Sequence, residues 1–133
     1  MKFISLMIKG TPMNFTRYNV METNNISEIT EMLAQPLPSY IEGILYFPFY
    51  EGEISPGGKL QSSANQSLDW ASVDLHGKIS KIDKKVPAHK TIHLDDKSVA
   101  ILVFHSGFCD SAKICKGNEI IHDKFTFLKK FFV

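Results

Sequence analysis

Apolar residues fall in short runs along the chain, most of them the length of strands rather than helices. Residues 2–9 (KFISLMIK) read as a first strand, buried at Phe3, Ile4, Leu6 and Ile8, and Gly10, Thr11 and Pro12 end it with turn chemistry. Residues 15–20 read as a short second strand. The pattern then changes period. Ile26, Ile29, Met32 and Leu33 recur at three- and four-residue intervals, behind Asn25 as N-cap and Glu28 three residues later. Pro36 and Pro38 close this helix near Ala34 or Gln35.

Residues 40–50 (YIEGILYFPFY) are dense in aromatic and β-branched side chains and read as a strand. Pro48 removes a ladder donor, which sets that strand at a sheet edge or a bulge, or ends it at Phe47. Residues 51–67 have almost nothing to bury and read as a long loop. From Leu68 onward strand follows strand. Residues 68–75 and 78–82 flank a His76-Gly77 turn, and residues 90–94 and 98–104 flank a turn at Asp95, Asp96 and Lys97. Residues 99–104 (VAILVF) are apolar throughout, which implies burial on both faces and a central place in the sheet. Residues 119–122 and 124–132 read as the last strands, with residues 128–133 equally open to a helical turn.

The sum is an α+β fold: a predominantly antiparallel sheet of about five to seven strands, with one short helix on a face. Helices do not recur between strands as a series of βαβ units would require. At 133 residues and 44% hydrophobic composition the chain fits one domain, residues 1–133, with a core of its own. Its apolar runs are too short to span a bilayer or form a secretory core, and two cysteines make no disulfide framework; both favour the cytoplasm.

Charge changes the picture little. The formal net charge is +1, and Arg17 is the one arginine. Without the bidentate fork that reads guanine and phosphate, a nucleic-acid reader is disfavoured. Lys78, Lys81, Lys84, Lys85 and Lys90 carry that alternative.

Candidate chemistry centres on His105, Cys109, Cys115 and His122. These are zinc-type ligands, but the five residues between the cysteines do not match the close pairs of zinc sites, so no metal is expected. A Cys109–Cys115 disulfide across a hairpin tip is sterically allowed. Cys109 as a nucleophile, with His93 or His122 as base and Asp95 or Asp110 as orienter, is the enzymatic alternative, a small hydrolase or transferase. No nucleotide, metal or cofactor motif is present, so no cofactor is expected.

The remaining signal is a surface. Strand alternation puts Tyr46 and Tyr50 on one side, and Glu51 and Glu53 follow, making an acidic, tyrosine-anchored patch suited to a basic protein partner. The leading expectation is therefore a protein-binding or inhibitor module without catalysis. Its most specific form is a bacterial immunity protein that neutralises a basic toxin such as a nuclease, a class whose general profile this chain shares.

Overall fold

The computed structural model describes residues 2–12, 17–47, 59–61, 64–93 and 98–126. Its elements are β1 (Lys2–Lys9), β2 (Arg17–Thr23), α1 (Ile26–Leu33), β3 (Gly43–Tyr46), β4 (Lys59–Gln61), β5 (Leu68–Asp74), β6 (Ile79–Val86), β7 (Thr91–His93), β8 (Ser98–His105), α2 (Phe108–Ala112) and β9 (Glu119–Ile121). A seven-stranded sheet runs in the order β6, β5, β8, β3, β2, β1, β9, and β4 pairs with β7 in a separate two-stranded sheet.

The large sheet is mixed rather than purely antiparallel. β2 and β3 run parallel, with Val20 opposite Gly43 and Thr23 opposite Tyr46, and the remaining pairs are antiparallel. The cause is α1. It lies between β2 and β3 in the chain and carries it back to the starting end of the sheet, as a parallel connection requires. The fold is mostly β with short helices.

Twist brings the two outer strands together at one end. Lys78, just before β6, bridges Glu119 in β9. The Ile79 N–H donates to Asn118 O at 2.8 Å, and the Gly117 N–H donates to Ile79 O at 2.8 Å. The result is a half-barrel, pinched where β6 meets β9. Both outer strands contribute to one core cluster, through Ile79 and Ile120, so that cluster lies on the concave side. It also contains Leu6, Tyr18, Leu45, Phe47, Phe104 and Phe125.

The second cluster covers the convex side. Ile29 and Leu33 of α1 pack with Ile44, Tyr46, Trp70, Ile101 and Val103. Each such buried aliphatic side chain contributes about 1.5–3 kcal/mol. The strand β8 is buried along residues 98–104, as its unbroken apolar run predicts. The strand β3 is buried at all four positions. At Gly43 a Cβ would stand 2.2 Å from Val103 O, so the close approach of β3 to β8 depends on glycine.

Helix α1 starts as predicted. The Asn25 side chain accepts from the Ser27 and Glu28 N–H groups, and the chain caps out at Ala34. The Asn25 N–H donates to Thr23 Oγ1, whose hydroxyl donates to Glu28 Oε1, so a threonine from β2 joins the capping network.

Several expectations are corrected. Phe3 is 61% exposed, because it alternates with the inward Ile4 and Leu6. The strand β6 runs on through its charged half to Val86. β7 pairs with β4 and does not form a hairpin with β8, which lies between β3 and β5. Residues 108–112 are helical rather than loop, and residues 123–126 form a helical turn rather than a strand. The proposed turn at Asp95, Asp96 and Lys97 lies outside the described residues.

Candidate functional site

At the end of the half-barrel away from the pinch, β2 continues its inward alternation from Tyr18 and Val20 to Glu22. A carboxylate thus arrives on the apolar side of the sheet, only 4% exposed. Such a group is costly unless it is paired. Three side chains meet it. His122, just after β9, contacts Oε1 through Nε2. Lys124 Nζ and Lys2 Nζ each lie 3.4 Å from Oε2. Burial raises the Glu22 pKa, but His122, Lys124 and Lys2 together more than offset this and hold it below the ordinary value.

The His122 ring is committed at both nitrogens. The backbone N–H of Lys124 donates to Nδ1 at 3.0 Å. A backbone N–H can only donate, so Nδ1 is unprotonated and Nε2 carries the proton it gives to Glu22. The ring also rests against Phe47, with centroids 5.2 Å apart, and Lys124 Nζ stands 4.6 Å over the same Phe47 ring. These contacts lock the segment after β9 across the mouth. Phe125, at the end of that segment, fills the concave core beside Phe47 at 5.3 Å.

A cleft of about 410 Å³ opens between β1 and this segment, lined by Lys2, Ile4, Ser5, Leu6 and residues 121–124. Asp123 is exposed at its rim. The Lys2 side chain is 65% exposed, that of Lys124 25% exposed and that of Glu22 only 4%, so Lys2 is the member of the cluster most open to solvent.

The other candidate residues disperse. Cys109 is buried in α2, and Cys115 is exposed; both are free thiols, separated by helix rather than a hairpin tip. Burial and the neighbouring Asp69 push the Cys109 thiol up to about 12, so it is not a thiolate nucleophile at neutral pH. His105 Nε2 bonds to Ile41 O at 2.9 Å. Among the described residues no group of three or more His, Cys, Asp or Glu converges on a metal position. Lys81 pairs with Asp83 at 3.6 Å, and Lys84 pairs with Asp110 at 2.6 Å, so part of the proposed lysine track is spent on internal ion pairs.

Tyr46 corrects the expected surface patch. It is 3% exposed and packs in the convex core, because β3 has a strand on each side and cover on each face. Tyr50, Glu51 and Glu53 lie outside the described residues.

Sequence reasoning missed Glu22, Lys2, Lys124 and Asp69. One signal was present: Glu22 shares the parity of Tyr18 and Val20, so strand alternation places an acid on the buried face. Asp69 has a structural role. Its Oδ1 accepts from the Lys85 N–H at 2.8 Å and the Gly107 N–H at 3.2 Å, and its Oδ2 accepts from the Cys109 N–H at 3.0 Å. It therefore caps α2 from a different strand, where Gly107 has no side chain to offer.

No family model and no curated protein matches the chain. Its fold is similar to that of a crystal structure of a protein of unknown function from Novosphingobium aromaticivorans, with TM-score 0.72 and 13% identity over 90% of this chain and 85% of that one. It is also similar to a "putative transcription regulator" from Sinorhizobium meliloti, with TM-score 0.70 and 11% identity over 93% of this chain and 98% of that one. At these identities the likeness is one of fold alone. No helix among the described residues is long and apolar enough to cross a membrane.

Proposed function

We propose that this chain is a protein-binding module that does no chemistry of its own and presents the mouth of the half-barrel to its partner. The observation that carries this reading is the double commitment of His122. A general base needs a nitrogen lone pair aimed at substrate. Here Nδ1 is occupied by the Lys124 N–H and Nε2 by Glu22. The Glu22 oxygens are both engaged and Cys109 is sealed in the core. What the mouth offers outward is the exposed Lys2 side chain and an open cleft, which suit recognition rather than turnover.

Neutralising a toxin is one form such binding can take. The segment at Tyr50, Glu51 and Glu53 favours it through sequence, as an acidic contact for a basic partner. Long-range ¹H–¹⁵N spectra of the His122 ring at neutral pH test the non-catalytic reading. A single tautomer protonated at Nε2 supports it, and an Nδ1-protonated ring or a mixture of tautomers overturns it.

A further inference from the structure

The two flanks of the large sheet are defended very differently. A strand edge with unpaired backbone groups invites another chain to pair with it, and proteins blunt such edges with charge, bulges or cover. The strand β6 is blunted. It carries Lys81, Lys84 and Lys85, and its pairing with β5 is broken by two register shifts.

Among the described residues the opposite flank is open along part of its length. The strand β9 pairs with β1 only through Met7, Ile8 and Lys9, and the chain then turns away at His122. Residues 2–6 pair with β2 on one side and, among the described residues, have no strand on the other. This stretch reads Lys-Phe-Ile-Ser-Leu, with no proline and no bulge against β2. At about 3.4 Å per residue it is about 17 Å of open edge, and the cleft beside Ile121 and His122 runs along it.

The side chains around the edge sort by face. Phe3 points outward, 61% exposed, and its ring lies 6.1 Å from that of the exposed Tyr40. Ile121 is also exposed. Lys2 falls on the inward side with Ile4 and Leu6, beside Lys124, and both ammonium groups face Glu22. Lys124 is held at Glu22 and over the Phe47 ring, so the cation a newcomer meets at the inner side of the edge is Lys2, whose side chain is 65% exposed, with Asp123 at the rim.

Resting on the protein-binding reading above, we infer that the partner adds a strand to residues 2–6 of β1. That strand is an extended segment alternating acidic and apolar residues. Its acidic side chains face Lys2, and its apolar side chains lie against Phe3 and Ile121. Main-chain hydrogen bonds would supply affinity and the alternation would supply specificity.

The test is an NMR titration of the ¹⁵N-labelled full chain with the blocked peptide acetyl-Val-Glu-Val-Glu-Val-amide. The expected result is saturable shifts at residues 2–6 and 121–124. Methylating alternate peptide nitrogens on the edge-facing side, or replacing both glutamates with lysine, should weaken binding by about tenfold or more. Lys2→Glu should do the same. Because this variant also sets a second carboxylate near Glu22, the methylated peptides stand as the independent arm. Binding that tolerates N-methylation in either register overturns strand addition. Equal binding of the lysine peptide overturns the acidic partner and leaves the protein-binding reading standing. Self-association through β1, seen as dimerisation by sedimentation, assigns the edge to a second copy and overturns the proposal. So does the absence of any shift at about 1 mM peptide. A His122 ring free at Nδ1, by contrast, overturns the functional reading itself.

Discussion

Glu22 and His122 meet at the mouth of the half-barrel although 100 residues separate them in the chain, and the contact fixes both. His122 gives its Nε2 proton to Glu22 and accepts the Lys124 N–H at Nδ1, so one ring joins β2 to the segment that follows β9. A buried acid, a histidine and a lysine together resemble catalytic machinery by composition. Their geometry makes them a clasp.

Acid should loosen that clasp. The Glu22 pKa is lower in the folded chain than its ordinary value, so its stabilisation is full above about pH 4.5 and is lost as pH falls through the folded-state value. At neutral pH Glu22→Gln should cost about 2 kcal/mol, because it removes the charge the lysines are arranged around. In urea melts the gap between variant and parent should narrow as the pH drops below that point. A gap of constant size would mean that the charge of Glu22 contributes nothing.

Thiol labelling should separate the two cysteines. Exposed Cys115 should react with a disulfide reagent at pH 8 at an ordinary rate, and buried Cys109 only after unfolding. The folded-state pKa of Cys109 is raised from 9.0 to about 12, so its neutral thiol stabilises the fold fully below about pH 9 and progressively less above it. Rapid modification of both thiols in the native chain would restore the nucleophile reading.

Asp69 should be worth more than its position in a strand suggests. It accepts three backbone N–H bonds from β6, the β8–α2 turn and α2. Asp69→Ala should therefore destabilise by about 2–3 kcal/mol, since the buried Cys109 N–H loses its acceptor at a cost of about 1–3 kcal/mol and the two part-buried bonds add less. Asp110→Asn, at an exposed pair with Lys84, should leave the thermal midpoint almost unchanged. Equal effects of the two substitutions would remove the capping role of Asp69.

Two glycines make a matched comparison. At Gly43 an added Cβ would stand 2.2 Å from Val103 O, in the ladder that joins β3 to β8. At Gly117 there is open space, but φ is +93°. Gly43→Ala should cost about 3 kcal/mol through forced separation of the strands, and Gly117→Ala about 1 kcal/mol through backbone strain. Circular-dichroism melts decide the order, and a Gly43→Ala variant as stable as the parent would contradict the close approach.

Much of the local structure was legible because local rules decide it. Strand β1 has the predicted limits, α1 starts at the predicted cap, and the apolar run of β8 is buried throughout. What was illegible depends on partners distant in sequence. Helix α2 begins at a glycine and is capped by Asp69, forty residues earlier by the bond to Cys109, so its own residues carry no start signal. The strand β4 is only three residues long, with Leu60 its one apolar position, and its pairing with β7 follows from the topology. Tyr46 looked like one side of an edge strand because alternation cannot reveal that β2 and β8 flank β3. The mouth cluster was hidden for the same reason: Lys2, Glu22, His122 and Lys124 come from the two ends of the chain. Only the parity of Glu22 hinted at it.

Amide hydrogen exchange along β1, read residue by residue with and without the acidic peptide, tests the open edge and its occupation together. In the free chain every second amide among residues 2–6 should exchange rapidly, while the β9-paired amides of residues 7–9 stay protected. Saturating peptide should protect those fast amides and leave residues 7–9 as they were. Fast-exchanging amides that remain fast under peptide, or an edge already protected in the free chain, would contradict a β1 strand that waits for a partner.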